Sequence, residues 1–125
     1  MKGIVLFAHG ARDPEWAAPF RRLQQIVAAG QRNTVVTLGF LELMQPTLDE
    51  AVADLLAANV TDICIVPLFL GPGAHFQRDF PKLLEKLSQR YPQAVLNNTP
   101  VLGDSDVILH AIADWIEFAK THAPA

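Results

Sequence analysis

Two histidines and one glutamate stand where apolar runs give way to polar turns: His9 in "FAHGARD", Glu42 in "GFLEL" and His75 in "LFLGPGAHFQRDFP". Imidazole and carboxylate together suit a borderline divalent metal such as iron, cobalt, nickel or zinc. They also move protons near neutral pH. Arg12 and Arg78 each follow one of the histidines by three residues, close to an expected helix start, where carboxylates or phosphates are welcomed. Gly10, Gly71 and Gly73 serve tight turns and let backbone N–H groups face an anion. "HGARD" and "HFQRD" share His, Arg and Asp at the same spacing, which makes the two turns chemically alike.

These residues need a scaffold, and the hydrophobic pattern supplies one. Four apolar runs have strand length: 2–8, 34–40, 62–69 and 94–101. The first three are apolar on both faces, as buried parallel strands are. The fourth carries Asn97 and Asn98 and belongs at an edge. Helical spacing follows each run: Trp16, Phe20, Leu23 and Val27; Leu48, Val52 and Leu55; Phe80, Leu83, Leu84 and Leu87; then Val107, Ala111, Trp115 and Ala119. Asp13-Pro14 caps and opens the first helix. Pro46 and Pro81 mark the starts of the second and third, and Asp104-Ser105-Asp106 opens the fourth. Asp79 reads as a helix-start cap like Asp13. His110 falls within the last helix and His122 in a frayed tail, so neither is a candidate.

Strict β-α alternation predicts an α/β fold: an open four-stranded parallel sheet with helices on both faces, flavodoxin-like, in one domain over 1–125. With the first strand between the second and third, ligands bind beyond the carboxyl ends of the strands. Strands lie about 4.8 Å apart, so His9, Glu42 and His75 would crown three neighbouring strands within on the order of 10 Å.

Composition removes several alternatives. A formal charge of −3 leaves no basic footprint for nucleic acid. Cys64, the single cysteine, precludes an internal disulfide or a cysteine-built metal cluster and suits a reducing cytoplasm. The apolar opening is interrupted by His9 after about six residues, too soon for a signal peptide. No stretch approaches the roughly 18 apolar residues of a membrane span. The expected setting is cytoplasmic, without membrane or nucleic-acid partners.

The segments "AHGARDP", "FLELMQPTLDEAV" and "VPLFLGPGAHFQRDFP" resemble the signature segments of the small sirohydrochlorin chelatases, the cobaltochelatase/ferrochelatase proteins of the class II chelatase superfamily. The resemblance covers essentially the whole chain. Ala11 stands where the family usually carries serine, and Pro72 is a further departure. The resemblance implies a lyase that inserts Co2+, Fe2+ or Ni2+ into sirohydrochlorin, toward cobalamin or sirohaem. It places metal handling on His9 and His75 and the active-site carboxylate on Glu42. The peripheral carboxylates of the tetrapyrrole would fall to Arg12, Arg78 and the amides near Gly71 and Gly73. The ion is then a substrate and no permanent cofactor is expected. Larger chelatases hold two such halves in one chain, so a one-half chain implies a homodimer. The alternative is a non-catalytic tetrapyrrole or metal carrier using the same ligands. A histidine phosphatase fits less well, because Ala8 occupies the place of the arginine in its Arg-His-Gly motif. A receiver-type signalling domain would place aspartates after the first strand, where His9-Gly10 stands.

Overall fold

The computed structural model describes residues 1–122; the last three residues of the expected domain lie outside them. The apolar runs form β1 (Lys2–Ala8), β2 (Thr34–Phe40), β3 (Asp62–Pro67) and β4 (Val95–Asn98). All pair in parallel, in the order β2-β1-β3-β4. The register sets Ala8 beside Phe40 and Phe7 beside Pro67, so β1, β2 and β3 end at one level. β4 is the short edge strand anticipated from its two asparagines.

Local chemistry fixes the helix starts. The Asp13 carboxylate accepts the Glu15 N–H at 2.9 Å and opens a 3-10 turn, Pro14–Ala17, that runs into α1 (Ala18–Ala29). Before α2 (Leu48–Ala57) a reciprocal cap forms: Thr47 Oγ1 accepts the Glu50 N–H at 3.2 Å while Glu50 Oε1 accepts the Thr47 N–H at 2.9 Å. Two unpartnered donors are satisfied at once.

The third helix departs from expectation. α3 runs Gly73–Arg90, so Pro81 lies inside it and Asp79 caps nothing. Asp79 instead faces Arg78, its oxygen 3.7 Å from Nε. Gly73, at φ 80°, makes the turn into the helix that an L side chain resists. Proline removes one ladder bond, the one its N–H would have donated to the Gln77 carbonyl. What holds the first turns is tertiary: Phe76 and Phe80 stack at 4.9 Å, and Phe80 stacks on Phe7 of β1 at 5.9 Å.

The sheet separates two cores. Val5, Phe7, Ile63 and Ile65 face α2 and α3 through Val52, Leu55, Phe80 and Leu87. Leu6, Ala8, Val36 and Leu38 face α1 through Phe20, Leu23 and Val27. α4 (Asp106–His122) joins neither: no residue of it is buried, and its main neighbour is the 3-10 turn Leu102–Asp104. Ser105 Oγ accepts the Ile108 N–H at 3.4 Å near its start, and His122 is its last helical residue and not a frayed tail. Val107, Trp115 and Phe118 are 78%, 64% and 60% exposed. The expected apolar stripe is therefore present, but it does not cover the sheet.

Candidate active site

The ends of β1 and β2 are sewn together. Ala8 and His9 carbonyls accept the Leu41 and Glu42 N–H groups at 2.9 and 3.0 Å. Gly10 sits at φ 90° against this seam, and a Cβ there would overlap the Glu42 carbonyl oxygen. Only glycine lets the two turns approach so closely. His9 thereby projects from a braced turn, exposed to solvent.

The turn after β3 is held from both sides. The Phe7 carbonyl accepts the Leu68 N–H at 2.8 Å, and the Phe69 carbonyl accepts the Gly103 N–H at 3.1 Å. A Cβ on Gly103 would run into the Leu70 carbonyl, so this glycine too is dictated by backbone contact. Phe69 links the histidine elements. Its ring lies 4.6 Å from His9 at 83°, edge to face, and 4.4 Å from Phe76, the neighbour of His75. Sequence reasoning missed Phe69, Phe76 and Gly103 as site-building residues; the run of Phe at 69, 76 and 80 was the available signal.

His75 occupies the first turn of α3 and not a loop. Its Nδ1 accepts a hydrogen bond of 2.7 Å from Arg78. A guanidinium can only donate, so Nδ1 carries the lone pair and the neutral ring keeps its proton on Nε2.

His9 and His75 line the same cleft, about 490 Å³ in volume. Leu41, Phe76 and Leu83 give it apolar walls, and Asp79, Lys82 and Lys86 add charge. Glu42, Arg12, Arg78, Gly71 and Gly73 do not line it. The Glu42 side chain is exposed on the turn beside His9, tied to it only through backbone. Among the described residues no three His, Cys, Asp or Glu side chains converge to hold a metal, so the expected three-residue crown reduces to two imidazoles facing one cleft. A Cβ at Gly71 or Gly73 would meet nothing, leaving the backbone there open. Burial pushes the Cys64 thiol up, keeping it protonated and a poor metal ligand. Among the described residues no helix is long and apolar enough to cross a membrane.

A two-imidazole cleft on the carboxyl edge of a parallel sheet can replace part of an ion's hydration shell while leaving other positions open. Comparison with known proteins agrees with that chemistry. A sequence profile described as CbiX matches residues 3–119. A sirohydrochlorin cobaltochelatase from Saccharolobus islandicus (strain L.S.2.15 / Lassen #1) is 39% identical over 84 residues, 67% of this chain and 64% of that one. Another from Methanosarcina acetivorans is 35% identical over 82 residues, 66% of this chain and 63% of that one. The match thus spans less than two thirds of these relatives' length. The structure of a CbiX protein from Marinobacter aquaeolei VT8 superposes with a TM-score of 0.85 at 26% identity, covering 98% of this chain and 100% of that one. SirB from Bacillus subtilis with Fe3+ shares the fold at a TM-score of 0.76 and 24% identity, covering 99% of this chain but 49% of that one.

Proposed function

The chain belongs to the CbiX family, and from that membership and its two-histidine cleft we propose that it inserts a divalent metal ion into sirohydrochlorin. The observation that carries this reading is the placement of His9 and His75 on one cleft, His9 from the turn after β1 and His75 from the first turn of α3. Cobalt is the ion in the names of the cobaltochelatase relatives and Fe3+ the one bound in the SirB structure, while divalent iron and nickel suit the same donors. The ion is a substrate, as is the tetrapyrrole.

Insertion exchanges two pyrrole protons for one dication. The imidazoles take over part of the hydration shell and hold the ion against the ring face. They and the Glu42 carboxylate are the bases at hand for the departing protons. The apolar walls formed by Leu41, Phe76 and Leu83 favour the ring over water. Arg12 is exposed three residues after His9 and would meet carboxylates at the ring's edge. Nothing in this reading requires a resident metal, and cytoplasm is its natural setting.

The working unit of this reading is a homodimer. Among the described residues nothing covers the apolar face of α4, while Ile4, Cys64 and Val66 are only half-buried. A partner's α4 would fit that need, and the SirB chain, of which the match covers 49%, is about twice as long, as two such copies are together. Isologous pairing would set two clefts face to face.

The test is absorption spectroscopy of sirohydrochlorin with Co2+, Fe2+ or Ni2+. Multiple turnovers per chain support insertion. A change that stops at one equivalent indicates a carrier and overturns the enzymatic reading.

A further inference from the structure

We infer that Lys82 and Lys86 form a carboxylate-binding subsite on the wall of the cleft, set to hold the acidic rim of a tetrapyrrole whose centre lies over the imidazoles. The inference deepens the proposed function by locating substrate contacts at residues that the arginines and glycines of the sequence motifs do not include.

The argument begins with helix geometry. At about 3.6 residues and 5.4 Å per turn, Lys82 and Lys86 fall within about 20° of His75 around the α3 axis, and about 10 and 16 Å along it. All three line the cleft, so one stripe of α3 carries a metal-handling group at one end and two cations further along. Leu83 lies between the lysines on the same wall, offering apolar surface to a ring whose edge the ammonium groups would reach.

Charge pairing separates these lysines from the rest. The chain has four lysines. Lys2 lies 3.7 Å from Asp62, and Lys120 lies 2.9 Å from Glu117. Among the described residues, Lys82 and Lys86 have no carboxylate within 4.0 Å. Asp79, the acid on the cleft wall, is the one facing Arg78. Two uncompensated cations therefore face a cleft in a chain whose formal charge is −3. A polycarboxylate is the ligand class that completes them. Compact, mobile ammonium groups suit several flexible carboxylate arms better than one fixed fork would.

The experiment uses the full chain and the double variant Lys82→Gln/Lys86→Gln, with uroporphyrin, an octacarboxylate, as binding probe and sirohydrochlorin with Co2+ as substrate pair. Both lysines are exposed, so melting curves of variant and parent should coincide. The dissociation constant for uroporphyrin and the KM for sirohydrochlorin should rise roughly three- to tenfold, with the change falling on KM and not on kcat. Raising ionic strength should weaken the parent more than the variant. The charge-reversed Lys82→Glu/Lys86→Glu should lose more again. Unchanged affinity and unchanged salt dependence in the neutral variant overturn the subsite, as does a parent chain that does not bind uroporphyrin. A parent that binds the porphyrin through these lysines yet never metallates sirohydrochlorin overturns the chelatase reading and leaves the subsite standing.

Discussion

The guanidinium of Arg78 donates to Nδ1 of His75 at 2.7 Å, one helical turn away on α3. A neutral imidazole has one in-plane lone pair, and this bond uses it. Metal ligation by His75 must therefore displace Arg78, through whichever nitrogen the ion binds. Removing the competitor should strengthen binding of the bare ion. For Arg78→Ala we expect Co2+ affinity, measured by calorimetry without tetrapyrrole, to rise roughly two- to tenfold, the net worth of one such hydrogen bond. Equal or weaker Co2+ binding would remove His75 from the ligand set or Arg78 from control of it.

His75→Ala tests the ligand itself. The position is helical and exposed, and alanine favours helix, so stability should change by no more than about 0.5 kcal/mol. Metallation should fall by about a hundredfold or more, as befits loss of a group that handles both ion and proton. Turnover like the parent's, with an intact melting curve, would contradict the role given to this imidazole.

The strands and their order were legible because buried parallel strands are apolar on both faces and right-handed crossovers leave few arrangements. The start of α3 was not. Gly71-Pro72-Gly73 and Pro81 are local signals for a loop and a later helix start, whereas Phe69, Phe76 and Phe80 hold the earlier turns through contacts distant in sequence. Splitting that helix at Pro81 also hid the stripe that joins His75 to Lys86. His9 and His75 were legible as a pair because each follows an apolar strand that ends at the same sheet edge, although His75 lies in the first turn of α3 and not in a loop. The side-chain aim of Glu42 was not, since a seam of backbone bonds, invisible in composition, fixes its turn. The helical period of α4 was read correctly. Periodicity identifies an apolar face but is silent on what covers it.

Gly10 carries the seam between the two turns. Gly10→Ala forces an L side chain to φ 90° and its Cβ onto the Glu42 carbonyl, so the fold should lose about 3 kcal/mol. Denaturant melts of this variant give the direct measurement. A loss under about 0.5 kcal/mol would mean that the seam yields readily, and that His9 is not braced by it.

Asp49 at the start of α2 anchors the far end of α3. Its carboxylate accepts the Tyr91 hydroxyl at 2.7 Å and an Arg90 N–H at 3.1 Å. The hydrogen bond to Asp49, with burial and the negative charge behind it, holds the Tyr91 pKa above its ordinary value, while Arg90 opposes the shift. A raised folded-state pKa stabilises the fold below the unfolded value of about 10, and that contribution disappears as pH rises through the folded value. Tyr91→Phe should therefore cost about 1 kcal/mol at pH 7 and progressively less in alkali above pH 10. Parallel chemical melts at pH 7 and pH 11 read the difference. A gap between parent and variant that stays constant across that range would show that Asp49 does not raise the Tyr91 pKa, and no gap at pH 7 would show that the hydroxyl pairing contributes nothing.

α4 offers the most direct test of assembly. Trp115 and Phe118 are large, apolar and exposed, and a helix so placed gains stability only by burying that face. Each such side chain buried against a partner contributes about 1.5 to 3 kcal/mol, so Trp115→Glu should weaken association roughly ten- to a hundredfold. Light scattering after size exclusion should show a dimer for the parent and a monomer for the variant at micromolar concentration. Because His9 and His75 lie on other elements, the monomer should still bind Co2+, while tetrapyrrole binding falls if the ring is held between two clefts. A parent that stays monomeric at every concentration would end the case for pairing through α4. A dimer insensitive to Trp115→Glu would move the interface elsewhere on the chain.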